Sequence, residues 1–233
     1  MCNKSGLLFV AGRVGTQDIE GQTVLEVGSM DVNGSARPHL EALRPSKYVG
    51  VDIMSGPGVD EICAVEDLVA RFGADSFDVV VSTEMIEHVR DWRGAFDQMK
   101  RVLRPGGLLV LTTRSIGFKI HGYPYDFWRY QPEDIRFILR DFTDLLVEED
   151  ELAPGVFAIA RKPITWQPVN LSTIALHSVV TRGRVIDVTS RQATVFKMLY
   201  RAHQAYRRAV PESVRSRVKR LVVRHRAPPS LSV

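Results

Sequence analysis

Residues 24–35 read VLEVGSMDVNGS. An apolar run carries one acid, Glu26, and breaks at Gly28 into small and polar residues. Twenty residues on, KYVGVDI (47–53) is a second apolar run that ends at another acid, Asp52. A short apolar run closed by glycine reads as a buried strand entering a turn. Two such strands, with the helix-like NGSARPHLEALR (33–44) between them, read as a β-α-β unit.

The pattern repeats outward. VEDLVARFG (65–73) is helix-like, with Gly73 where a left-handed cap is common. SFDVVVST (76–83) is a β-branched run typical of a strand buried on both faces. DWRGAFDQMKRVL (91–103) spaces Trp92, Phe96, Met99 and Leu103 three or four apart, and RPGG (104–107) is read as a hard stop before the strand LLVLTT (108–113). QPEDIRFILRDF (131–142) reads as a helix. The segments 142–152 and 155–162 read as a closing pair of strands around Pro154-Gly155. The expected fold is α/β, a doubly wound, mostly parallel sheet with an antiparallel final strand and helices on both faces. Residues 1–162 form the main domain; 163–233 are read as an irregular segment followed by a helical tail.

The chain has 233 residues, 45% of them hydrophobic, enough for a real core. Its two cysteines lack metal-ligand spacing, so a reducing cytoplasm is expected rather than a disulfide scaffold. The apolar stretch Leu7–Ala11 is too short for a membrane span, and no signal peptide is read. The net charge of +4 is uneven: about −6 over residues 1–190 and +10 over 191–233.

In an open α/β sheet, ligands sit at the carboxyl ends of the strands. Gly28 there allows close backbone approach, and an ionised Asp52 can accept hydrogen bonds from ribose hydroxyls. The second glycine of a dinucleotide loop is missing, Asp31 would repel phosphate, and no phosphate-binding G-x-x-x-x-G-K motif occurs. A ribose-bearing, phosphate-free, cationic ligand fits better, and S-adenosylmethionine has that description.

Four stretches in order, VLEVGSMDVNGS, YVGVDI, FDVVVSTEMIEHVRDW and RVLRPGGLLVLTT, resemble the class I S-adenosylmethionine-dependent methyltransferases of the type 11 group, with their Rossmann-like sheet, over roughly residues 22–160. The resemblance implies that Glu26, Gly28 and Ser29 hold the amino-acid end of the cofactor. It implies Asp52 on the ribose, Ile53 against adenine, Ala64–Val65 at the adenine edge, and backbone around Ser82–Glu84 lining the cleft. The first loop departs from the family in lacking its usual run of glycines, and many relatives have an aspartate where Ala64 stands.

The stretch RSIGFKIHGYPYDFWRYQPED (114–134) follows the strand LLVLTT and so lies at the ligand end of the sheet. Its aromatic and hydrogen-bonding residues suit an acceptor loop for a carbohydrate, with Tyr123, Asp126, Trp128 and Arg129 as candidate substrate contacts. His121 is the candidate general base, because imidazole titrates near working pH. His88 and Glu84 are further catalytic candidates. Glu84, His88, His121 and Asp126 are ligand types that could gather around a metal, but their spacing does not demand one and none is expected.

The expected activity is methyl transfer to a sugar hydroxyl of a glycoside, oligosaccharide or glycolipid. An N-methyltransferase and a non-catalytic cofactor-binding scaffold are the alternatives. The N-P-P-[YF] motif common where amines are methylated is absent; STEM stands in its place. In the tail, residues 192–210 and 211–226 each read as a basic amphipathic helix, suited to an anionic membrane surface or to a homodimer arm. Nucleic acid is not the expected partner, since the aromatic interleaving of a single-strand binder is missing.

Overall fold

A computed structural model describes residues 4–121 and 126–209. The chain opens with helices α1 (Lys4–Arg13) and α2 (Thr16–Ile19), then runs through β1 (Thr23–Val27), α3 (Arg37–Ala42), β2 (Lys47–Asp52) and β3 (Glu61–Ile62). A 3-10 turn at Val65–Asp67 leads into α4 (Leu68–Phe72) and β4 (Phe77–Thr83). A second 3-10 turn, Ile86–His88, precedes α5 (Trp92–Val102) and β5 (Leu103–Arg114). Then come β6 (Trp128–Arg129), α6 (Pro132–Ile138), β7 (Thr143–Glu149), β8 (Gly155–Arg161), β9 (Leu176–Ser178), β10 (Gly183–Val185) and α7 (Ser190–Ala209).

Seven strands form one sheet in the order β3-β2-β1-β4-β5-β8-β7. The first five are parallel, while β8 runs antiparallel to both its neighbours. The expected doubly wound sheet with an antiparallel closing strand is therefore present, with β8 inserted inside the edge rather than forming it. The chain builds outward from β1 to β3 and then returns to place β4 on the other side of β1. Strand order thus reverses between β1 and β4, and it is at the carboxyl ends of the strands flanking such a reversal that open α/β sheets bind ligands.

Alternating residues of these strands serve opposite faces. Val24, Val79, Val81, Leu108 and Val110 pack with Phe9, Val10, Val14, Ile19 and Leu40, which closes one face with α1, α2 and α3. Each fully buried side chain of this size contributes roughly 1.5–3 kcal/mol relative to exposure. Helix α5 starts where the Asp91 carboxylate accepts a hydrogen bond from Gly94 N at 3.1 Å, a side-chain N-cap.

The structure departs from the expected boundaries in three places. Helix α1 was not anticipated, because its apolar stretch is short. The helix does stop just before RPGG, with α5 ending at Val102, but the next strand begins earlier than expected: Phe77 pairs with Leu103 and Val79 with Leu108, so residues 104–107 bulge out of one continuous strand. Residues 163–188 are mostly irregular, as read from the sequence, but they group with the first compact unit and not with the tail. They supply β9 and β10, which form a small antiparallel sheet with β6, and the first compact unit runs to Val188, the second being 189–233. Of the two expected tail helices, the first is α7; residues 211–226 lie outside the described residues.

Candidate active site

The first loop leaves β1 at Gly28, whose φ of +80° lies in the left-handed region open to glycine. A Cβ added there would stand 2.5 Å from Met85 Cγ and 2.6 Å from Met85 Cβ. Met85 directly precedes the Ile86–His88 turn, so this glycine lets the first loop close against the segment that follows β4. The loop is tied to the next strand as well, since Gly28 N and Ser29 N both donate to Val51 O, at 2.9 and 3.0 Å.

Three features at this crevice suit a cationic nucleoside. Glu26 is almost fully buried and accepts a hydrogen bond from the Tyr48 hydroxyl at 2.8 Å. Burial pushes its carboxyl up to about 7, outweighing the opposing effects of the Tyr48 hydrogen bond and the Arg37 charge. The Ser29 hydroxyl is buried with no hydrogen-bond partner, a polar atom that a ligand would satisfy. Asp52 ends β2 partly exposed, and among the described residues its carboxylate accepts long hydrogen bonds from Met30 N and Met54 N, at 3.3 Å each.

Beside Asp52 a cavity of about 530 Å³ is lined by Ile53, Ile62, Cys63, Ala64, Asp67, Ala70 and Arg71. Ile53 is 57% exposed, an apolar side chain left open on the cavity wall where an adenine ring would cover it. Of the Ala64–Val65 pair expected at the adenine edge, Ala64 lines the cavity, while the side chain of Val65 is buried at the start of the 3-10 turn. Ser82 is fully buried in β4 with its hydroxyl unpartnered.

The catalytic candidates separate into two groups. Glu84 is not free to act: the Arg114 Nε donates to its carboxylate and the Thr112 hydroxyl donates at 3.1 Å, all in buried surroundings. Arg114 also donates to Asp150 at 3.1 Å, and the Ser5 hydroxyl donates to the same oxygen at 2.5 Å, so the cluster ties α1 to the ends of β4 and β5. Burial and the neighbouring Glu87 carboxylate push Glu84 up to about 7, against Arg114.

The second group centres on His121. Its Nε2 lies 3.4 Å from Glu87 Oε1 and its Nδ1 3.4 Å from Asp126 Oδ2. The His88 ring meets it edge to face at 4.7 Å between centroids. Burial alone would lower the imidazole, but contacts with Asp126 and Glu87 raise it to about 9. Glu87 is fully buried and accepts from the Thr113 hydroxyl at 2.9 Å. Burial works to raise its carboxyl, yet the charges of His121 and His88 bring it below the usual carboxylate range. Sequence reasoning passed over Glu87 in the STEMIEHV run; its place one residue before His88 was the available signal.

Asp126 and Arg129 form a bidentate pair at 2.5 and 2.9 Å, both buried, and Asp126 also accepts from His121 N at 2.7 Å. Burial would raise Asp126, but Arg129 and His121 hold it down to about 2. These two residues brace the loop instead of lining an open acceptor wall. Trp128, expected to touch substrate, has a fully buried ring whose indole N–H donates to Val89 O and Arg90 O. Tyr123 lies outside the described residues. The small sheet completes the brace: Arg129 pairs with His177 and Trp128 with Ser178, and Phe127 N donates to Glu87 O at 2.9 Å.

Glu87, His88 and His121 each offer a ligand atom, all within 4.8 Å of one another, and could hold a metal ion. The sequence reading named His88 and His121 among possible metal ligands while expecting no metal; the structure adds Glu87 to them in place of Glu84 and Asp126. A metal would compete with the proton that Glu87 and Asp126 stabilise on His121.

A Rossmann-like sheet with a glycine turn after β1, an acid at the end of β2 and an open cavity of about 530 Å³ beside it has the layout of a ligand-binding α/β domain. Residues 5–146 match the family described as "Methyltransferase domain", and the chain belongs to that family. The "Ubiquinone biosynthesis O-methyltransferase" of Parvibaculum lavamentivorans is 35% identical over 68 residues, 29% of this chain and 26% of that protein. The protein of the same name from Chromobacterium violaceum is 32% identical over 117 residues, 44% and 49% of the two chains. The chain thus spans about a quarter to a half of the length of these curated relatives. Among solved structures, Burkholderia thailandensis 1,6-didemethyltoxoflavin-N1-methyltransferase, with bound 1,6-didemethyltoxoflavin and S-adenosylhomocysteine, superposes with a TM-score of 0.54 at 15% identity. That match covers 69% of this chain and 80% of that one, and it supports the fold.

Proposed function

We propose that the chain is an S-adenosylmethionine-dependent O-methyltransferase. The observation that carries this reading is the Gly28–Met85 contact, which sets the nucleoside crevice against the turn that bears Glu87 and His88. In this reading the cofactor amino group meets Glu26, its ribose meets Asp52, and adenine covers Ile53 and Ala64. The cofactor brings its own leaving group, so the protein's task is to align an acceptor oxygen and exclude water.

His121 takes the acceptor proton. Its resting form at neutral pH is the cation held by Glu87 and Asp126, so base catalysis draws on the minor neutral form. A base near 9 is matched to an acidic hydroxyl such as a phenol, which titrates near 10, far better than to an aliphatic one. The names of the curated relatives, O-methyltransferases, support an oxygen acceptor. The sugar acceptor expected from the sequence has less support, because Phe127 and Trp128 are buried and offer no stacking face.

The test is transfer of a labelled methyl group from S-adenosylmethionine to a panel of catechols, simple phenols, sugars and amines. Labelled phenolic ether is the expected product. Labelled sugar would restore the carbohydrate reading, and transfer only to amines would contradict O-methylation. Cofactor binding without transfer to any class would leave the scaffold reading.

A further inference from the structure

Helix α7 (Ser190–Ala209) lies in the second compact unit and carries an exposed apolar stripe. Val195, Leu199, Ala202 and Tyr206 recur at intervals of four, three and four, and so share one face, with Met198 beside them. Val195 is 47% exposed, Met198 61%, Leu199 66% and Tyr206 42%. Lys197, Arg201 and Arg208 fall on the opposite face, and the helix has five basic residues and no acid. The sequence from 210 to 233 adds six Lys or Arg and one Glu.

We propose that α7 is a membrane-surface helix that seats its apolar stripe in an anionic lipid bilayer. Charge selects this occupant. A second copy of the same helix would bring the cationic flanks of the two together, whereas an anionic leaflet attracts them at a range of about 8 Å at physiological salt. A nucleic acid would satisfy the cations and leave Val195, Met198 and Leu199 in water; a lipid surface satisfies both faces at once. The helix lies on the membrane rather than crossing it, since no helix among the described residues is long and apolar enough to span a bilayer. Long Lys and Arg side chains reach back to the headgroups while their stems stay along the apolar surface.

The experiment is co-sedimentation of the full chain with vesicles of phosphatidylcholine alone and of phosphatidylcholine mixed with phosphatidylglycerol, at low and high salt. The account expects binding to the anionic vesicles, little to the neutral ones, and release by salt. Met198→Gln with Leu199→Gln should weaken partition by roughly tenfold or more. Lys197→Gln with Arg201→Gln and Arg208→Gln should weaken it by roughly fivefold per charge. Unchanged S-adenosylmethionine binding in both variants would show the methyltransferase unit intact. Equal binding to neutral and anionic vesicles, no binding to either, or variants that bind like the parent would overturn the proposal. Concentration-dependent self-association, or RNA binding, that the Met198/Leu199 variant abolishes in place of vesicle binding would overturn it too.

Discussion

His121 and Glu87 come from segments 34 residues apart, yet the imidazole Nε2 stands 3.4 Å from the carboxylate Oε1. The Ile86–His88 turn brings the acid, and the braced loop after β5 brings the base. The pair sits next to the turn that packs Met85 over Gly28, so in the proposed reading the acceptor base and the cofactor loop share one junction.

If His121 accepts the acceptor proton, His121→Ala should lower kcat by roughly 10²–10⁴-fold and leave S-adenosylmethionine affinity near that of the parent. Steady-state turnover beside calorimetric binding separates the two effects. An unchanged kcat would remove His121 from catalysis.

If Glu26 meets the cofactor's amino group as proposed, it sets the pH dependence of cofactor binding. Its carboxyl titrates near 7 in the free protein and is drawn lower when a cationic amino group arrives. Binding then releases a proton below about pH 7, and affinity falls by up to tenfold per pH unit as the solution is acidified through that value. Calorimetry in two buffers of different ionisation enthalpy reads the proton, and Glu26→Gln should abolish the release.

The same group acts on stability with the opposite trend. A folded-state value raised above the unfolded 4.5 means that the folded protein keeps a proton that the unfolded chain loses between about 4.5 and 7. Unfolding free energy should drop by roughly 3 kcal/mol as pH rises across that window. Denaturant midpoints of the parent and Glu26→Gln, compared at both ends of the window, measure it.

Arg114 is the buried cation between Glu84 and Asp150. Arg114→Met removes the charge and strands two buried carboxylates, with an expected loss of about 3–5 kcal/mol in chemical denaturation. A loss below 1 kcal/mol would mean that the carboxylates take up protons at little cost.

How much of this was legible in the chain depends on the range of the signal. Strands β1, β2, β4 and β5 were read from continuous apolar runs, and Gly28 and Asp52 from their places at the ends of two of them, because these signals are local. Glu84 was read as available because its partner Arg114 is 30 residues away and its burial shows only in three dimensions. Trp128 reads from its residue type equally as substrate wall or loop core, and the Val89 and Arg90 carbonyls that accept its indole N–H decide for the core. Strands β9 and β10, three residues each, are too short for periodicity to show, and their pairing with β6 is what steadies the loop.

Gly28→Ala tests the junction. A methyl group at φ +80° would strain the backbone and drive into Met85, both of which the glycine avoids. The variant should fold, with its far-ultraviolet circular dichroism unchanged, and lose most cofactor affinity. Retained affinity would show that the first loop closes without that contact.

The central claim is that a ribose is gripped by the carboxylate ending β2, and it is tested by calorimetric titration of S-adenosylmethionine into the parent and into Asp52→Ala. Saturable binding by the parent and at least a roughly tenfold weaker constant in the variant, the loss of one charge-assisted hydrogen-bonding group, is the predicted result. Equal constants for the two proteins, or no binding by the parent, would contradict it.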